Sequence, residues 1–106
     1  MKCLHIITPV KDSIDSTLET VKAIMESDIL VPFTYTVYND FSTEENTHRL
    51  EEAARQWNFR LVNLSDLTDH PSPNYLLVLQ TAQKEAIEAD AGLLIVESDV
   101  IVKKNT

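Results

Sequence analysis

Glu97 and Asp99 stand two residues apart, directly after the apolar run Leu93-Leu94-Ile95-Val96. Four consecutive apolar residues, two of them β-branched, read as a strand buried on both faces. Carboxylates placed where such a strand leaves its sheet suit a crevice better than a core. In open α/β sheets, ligands bind in the crevice beyond the carboxyl ends of the strands. Hard divalent cations take carboxylate oxygens there and commonly carry a substrate phosphate as a further ligand. Taken alone, the pair reads equally well as solvated loop acids, or as Asp99 capping a following helix.

Two other strand ends supply polar residues that converge on the same edge. Lys2 to Thr8 reads as a strand closed by Pro9, which puts Thr8-Pro9-Val10 at its carboxyl end. Phe33 to Tyr38 is aromatic and β-branched throughout, a second strand that ends at Asn39-Asp40. A lone Asp40 before Ser42 is ordinarily a turn or cap residue. The three ends together are what point to a ligand.

The elements that must position them follow from the periodicity. Asp12 or Ser13 caps a helix whose apolar face is Ile14, Leu18, Val21 and Ile24 or Met25. Ser42 and Glu45 have capping-box spacing ahead of a helix lined by Leu50, Ala53, Ala54 and Trp57. Phe59 to Leu64 is a short third strand. Ser72-Pro73 fits the N-cap and first turn of a third helix with Leu76, Leu79, Ala82 or Gln83, Ala86 and Ala89 inward. The order βαβαβαβ predicts a mainly parallel sheet with helices on both faces, right-handed crossovers and an interior first strand. Val100-Ile101-Val102 begins an apolar element that Lys103-Lys104-Asn105-Thr106 does not complete, so an incomplete domain is expected.

Composition narrows the chemistry further. The 106 residues make at most one domain, with 43% apolar and 25% charged residues, as in ordinary globular chains. Seventeen acids against nine bases give a net charge of −8, which disfavours nucleic acid as a partner. A phosphate-bearing ligand then needs a metal to supply positive charge locally. Gly92 is the only glycine, so dinucleotide-binding and P-loop motifs are excluded. The single Cys3 allows no internal disulfide and suits a core position. With no signal peptide and no apolar run long enough to span a bilayer, a cytoplasmic setting is expected.

Ile6-Ile7-Thr8-Pro9-Val10, Asn39-Asp40-Phe41-Ser42-Thr43-Glu44 and Glu97-Ser98-Asp99 resemble, in order and spacing, the nucleotide-binding half of GT-A glycosyltransferases of family 2. The resemblance covers the whole chain. It implies a Rossmann-like three-layer α/β/α fold, with residues 1–106 as the N-terminal, nucleotide-sugar-binding part of a longer domain. It implies an enzyme that transfers a sugar from a nucleotide-diphosphate donor to a saccharide or lipid-linked acceptor, using Mn²⁺ or Mg²⁺. A cytoplasmic enzyme is expected, either free or, in the full-length protein, at the inner face of the membrane. By the same resemblance Thr8 and Pro9 line the nucleobase pocket, Val10 also belongs to the nucleotide site, Asp40 bonds the base or ribose and Ser98 lies near the ribose. Asp99 ligates the metal, and Glu97 takes the first acidic position of the Asp-x-Asp motif. Gln80 falls roughly where the family carries an Asn. The catalytic base is expected beyond residue 106, so the fragment alone should be inactive.

Two departures stand out. Phe41 replaces the usual Gly, which removes backbone freedom and adds a ring beside the base pocket. Glu97 in place of Asp lengthens one arm by a methylene. A nucleotidyltransferase resembling the pyrophosphorylases is the alternative enzyme, but Val10-Lys11-Asp12-Ser13 offers no glycine-rich basic loop. A flavodoxin-like or receiver-type Mg²⁺-binding module is the non-catalytic alternative, and it wants an acidic pair where Thr8-Pro9 stands. Asp66, Asp69 and His70 read as turn formers and solvated acids rather than a metal site.

Overall fold

A computed structural model describes residues 3–27, 31–71 and 73–97. The described residues form β1 (Cys3–Val10), α1 (Ile14–Met25), β2 (Phe33–Asn39), α2 (Glu44–Trp57), β3 (Arg60–Asn63), α3 (Tyr75–Glu88) and β4 (Ala91–Ile95), with a 3₁₀ turn at Leu64–Asp66. The strands make one sheet in the order β3-β2-β1-β4, and every pair is parallel. The first strand is interior, as the alternation of elements predicts.

Strand alternation sorts the side chains into two cores. Ile6, Val10, Tyr35 and Val37 point to one face, where Ile14, Val21 and Ile24 of α1 and Leu50 and Ala53 of α2 cover them. Ile7 and Tyr38 point to the other, under Val78 and Ala82 of α3 and beside Leu64. These are the three layers expected. Trp57 packs partly buried against the first core, an anchor and not a free aromatic.

The uneven helix cover corrects one expectation. β4 is an edge strand of the described sheet and is not buried on both faces. Leu93 and Ile95 pack under α3, but α1 and α2 lie over the β1–β2 side, so Leu94 is left 45% exposed. An apolar run cannot distinguish one covered face from two.

Pro9 does not end β1, which continues to Val10 paired with Asn39. The carbonyl of Val10 accepts from Asp40 on the β2 side, while that of Ile7 accepts from Val96 on the β4 side. Pro9 shares the parity of Ile7, so its missing N–H faces beyond the end of β4 and costs no ladder bond. β1 therefore outruns β4 and leaves a notch.

The α3 register also differs from expectation. Its N-cap is Asn74, and the buried stripe is Val78, Ala82 and Ala86, while Leu76 is 66% exposed. Likewise Thr43, not Ser42, caps α2, its hydroxyl accepting from the Asn46 N–H. At the far end of α3, Asp90 sits at φ 53° with its carboxylate at a helix C-terminus, which disfavours negative charge. Asp90→Gly should stabilise the fold by about 1 kcal/mol, raising the melting temperature; an unchanged or lower midpoint would refute this.

Candidate functional site

The notch between β1 and β4 is a cleft of about 210 Å³ at the carboxyl ends of the strands. Pro9, Val10 and Lys11 form one side, Glu97 another, and Asp40, Pro73, Tyr75 and Val78 close it from β2 and α3. Four of the residues singled out in the sequence, Pro9, Val10, Asp40 and Glu97, thus meet around one space. Parallel pairing brings them together, because it puts every strand's carboxyl end on the same edge.

Asp40 is the most constrained of them. It is 7% exposed, and its two oxygens accept from the backbone N–H and the side-chain Nδ2 of Asn74, each at 2.8 Å. Asn74 Nδ2 also donates to the His70 carbonyl, tying the irregular segment before α3 to the same point. Asp40 therefore satisfies the amino end of α3 from β2, and the helix dipole favours its negative charge there. Neighbouring Asn39 is equally committed, donating to Thr47 Oγ1 and Asn63 Oδ1 while accepting from the Ser42 N–H.

The loops after β1 and β2 are locked to each other. Asp12, at φ 61°, accepts from the Thr43 N–H at 2.7 Å and Asn46 Nδ2 at 3.0 Å, and its own N–H donates to Ser42 Oγ at 2.8 Å. Lys11 Nζ donates to the Phe41 carbonyl and lies 3.7 Å from Asp12 Oδ2. The hydrogen bond from Asn46, then that from Thr43, holds the Asp12 carboxyl below its ordinary value of 3.8. A group so depressed contributes stability that is present above its unfolded pKa and lost as pH falls through the folded one. Asp12→Asn should therefore flatten the fall in melting temperature between about pH 5 and 2 relative to the parent. Identical acid slopes for both proteins would contradict the link.

Phe41 keeps the left-handed backbone that glycine would adopt freely, with φ 62°. Its ring packs partly buried against the second core and is not among the residues that line the cleft. Thr8 is placed differently from its neighbours Pro9 and Val10. Its side chain is 0% exposed and its hydroxyl accepts from Tyr35 at 2.7 Å, so it faces the core and offers no hydroxyl to a ligand. Val10 borders the cleft, but its side chain belongs to the first core. Gln80 is exposed on α3, away from the cleft. Asp66, Asp69 and His70 are exposed.

Ser98 and Asp99 lie outside the described residues. Among the described residues no group of three or more His, Cys, Asp or Glu side chains is placed to hold a metal. Glu97 is exposed at the cleft mouth, while Asp40 is already engaged by Asn74. One or two carboxylates suffice for Mg²⁺ or Mn²⁺ when phosphate and water complete the shell, so Glu97 fits such an ion as a partial donor. Lys11 and Tyr75 were not singled out by the sequence reading. Lys11 immediately follows Val10, the last residue of β1, and Tyr75, 44% exposed, opens α3 two residues after Pro73.

No family model and no curated protein matches the chain. Solved structures do. S. aureus TarS 1-349 matches at 21% identity with a TM-score of 0.63, over 98% of this chain and 29% of that one. The same protein in complex with UDP-GlcNAc matches at 23% identity and a TM-score of 0.59, over 93% of this chain and 27% of that one. Glucosyl-3-phosphoglycerate synthase from Mycobacterium tuberculosis, in complex with uridine diphosphate, matches at 18% identity and a TM-score of 0.58, over 94% of this chain and 35% of that one. This chain spans roughly a third or less of the length of these structures. The likeness is one of fold: the four-stranded parallel sheet and its helices share the α/β, Rossmann-like architecture of these structures. Among the described residues no helix is long and apolar enough to cross a membrane.

Proposed function

We propose that residues 1–106 are the nucleotide-sugar-binding part of a GT-A glycosyltransferase, and that the cleft between β1 and β4 receives the nucleoside diphosphate of the donor. The observation that carries this is the convergence of Pro9, Lys11, Asp40, Tyr75 and Glu97 where β1 outruns β4. The shared fold and the uridine nucleotides held by the similar structures support it.

The chemistry follows from the donor set. At about 210 Å³ the cleft is smaller than the roughly 300–1,000 Å³ of a whole small-molecule site, so it takes part of the nucleotide. Pro9 and the exposed Tyr75 ring offer flat apolar surface to the base. Asp40 is held by Asn74 in one orientation, with its carboxylate at the cleft wall. A diphosphate approaching Asp40 and Glu97 alone meets like charge, only partly offset by Lys11. Glu97 and Asp99 would hold a divalent cation there, which supplies Lewis-acid neutralisation of charge on the departing diphosphate. Lys11 adds positive charge beside the same oxygens. The catalytic base and the acceptor site belong to other parts of the protein, and residues 1–106 alone are expected to show no sugar transfer.

Calorimetric titration with UDP, in Mn²⁺ and in EDTA, tests the proposal. Binding that strengthens with the metal supports it. Absence of binding in both conditions, for this chain and for a longer form of the protein, would overturn it.

A further inference from the structure

A larger cavity lies at the opposite end of the sheet, and nothing in the proposed function uses it. α3 is the only described helix on its face and covers β1 and β4, leaving the amino ends of β2 and β3 open. The resulting space is about 580 Å³, within the range of small-molecule sites. Thr36 precedes Asp40 by four residues along β2, which puts the two cavities roughly 13 Å apart at the strand rise.

Among the described residues, two buried polar atoms in this wall have no hydrogen-bond partner. Thr36 is 1% exposed and its Oγ1 makes no hydrogen bond, and His5 is 6% exposed and its Nε2 makes none either. His5 Nδ1 shares a 2.8 Å hydrogen bond with Thr34 Oγ1, which fixes the ring and leaves Nε2 3.5 Å from Glu85 Oε1. Glu85 is itself occupied by Arg60 at 2.8 Å and by the Tyr38 hydroxyl at 3.1 Å. Burial pushes Glu85 up, but those hydrogen bonds outweigh it and hold its carboxyl ionised below the ordinary value. Buried groups left without partners are uncommon, and each calls for an occupant.

We propose that this cavity is a second binding site, for an uncharged, polyhydroxylated ligand of monosaccharide size, hydrogen-bonded by Thr36 and His5. The charge balance selects a neutral ligand: Arg60 and Glu85 neutralise each other, and an ionic ligand would have to break their pair. The two unpaired atoms select hydroxyl groups, since a ligand hydroxyl both donates and accepts and so fits a threonine and either histidine tautomer. Met25, Phe33, Ala89 and Ala91 supply apolar wall, matching the C–H face of a pyranose ring. The site lies beyond the reach of the nucleotide cleft, so it serves to anchor a saccharide rather than to react it.

The test is NMR titration of the chain with glucose and, separately, N-acetylglucosamine, for the parent and for Thr36→Val. Thr36→Val keeps the shape and removes the unpaired hydroxyl. Shifts centred on His5, Thr36, Arg60 and Glu85, with binding at least tenfold weaker in the variant, are expected. UDP titration of Thr36→Val should match the parent, which separates failure here from failure of the nucleotide reading. If Thr36→Val melts below the parent, His5→Asn is read by the same tenfold criterion. Neither sugar shifting these resonances, or equal binding by the parent and a folded variant, would overturn the proposal, leaving a cavity filled with water only.

Discussion

Asp40→Ala is expected to destabilise the fold by about 3 kcal/mol, the largest effect of any single substitution at the cleft. Two 2.8 Å hydrogen bonds to a buried carboxylate are lost at once. The Asn74 backbone N–H is left without an acceptor, while its Nδ2 keeps only the His70 carbonyl. The first turn of α3 loses its anchor to β2, and Tyr75 and Pro73 lose their placement. A chain of this size is stable by roughly 5–15 kcal/mol, so the loss is a large fraction of the whole. It corresponds to a fall in melting temperature of roughly 10–20 °C. Asp40→Asn should also be costly, because an amide facing Asn74 Nδ2 presents a donor to a donor wherever its own NH₂ lies inward. A midpoint within a degree or two of the parent would mean that Asp40 does not hold α3. Loss of nucleotide binding in Asp40→Ala is expected too, but it follows from the displaced helix as well as from a lost contact.

Asp99→Ala separates the two causes, since it leaves Asp40, Asn74 and His70, the residues that make that anchor, unchanged. If Glu97 and Asp99 share a cation with the diphosphate, Asp99→Ala should abolish the gain in UDP affinity on adding Mn²⁺. The weak metal-free binding should remain. The loss in Mn²⁺ is expected at about 10- to 100-fold, roughly 1–3 kcal/mol. Glu97→Gln should have the same direction and a smaller size, because the longer arm reaches the ion less directly. Calorimetry in Mn²⁺ and EDTA reads both. Equal Mn²⁺ dependence in Asp99→Ala and parent would remove the metal from the account.

What was legible in the sequence, and what was not, divides along the range of the interactions. The parallel sheet and the interior β1 follow from alternating βα units, whose periodicities are local. The convergence of Pro9, Val10, Asp40 and Glu97 follows from parallel pairing alone. The α3 register was misplaced because Ser72-Pro73 has good local capping chemistry, whereas the helix is fixed by Asp40, 34 residues away. Asp12 behaves alike: it supports the amino end of α2 from across the loop, at a separation of 31 residues. Thr8 looked available because it sits at a strand end, but strand parity turns it toward Tyr35. Tyr75 was missed for the same reason that α3 was misplaced, since a helix starting at Pro73 gives that residue no special position. Contacts of this length leave no local pattern to read.

Paramagnetic broadening by Mn²⁺ in the presence of UDP tests the central claim most directly, because it locates the ion and the nucleotide together. Amide resonances of Lys11, Asp40, Tyr75 and Glu97 should broaden most with UDP and Mn²⁺ present, and those of His5, Thr36 and Arg60, at the other end of the sheet, distinctly less. Uniform broadening, or broadening centred away from the β1–β4 notch, would contradict a nucleotide and metal site in this cleft.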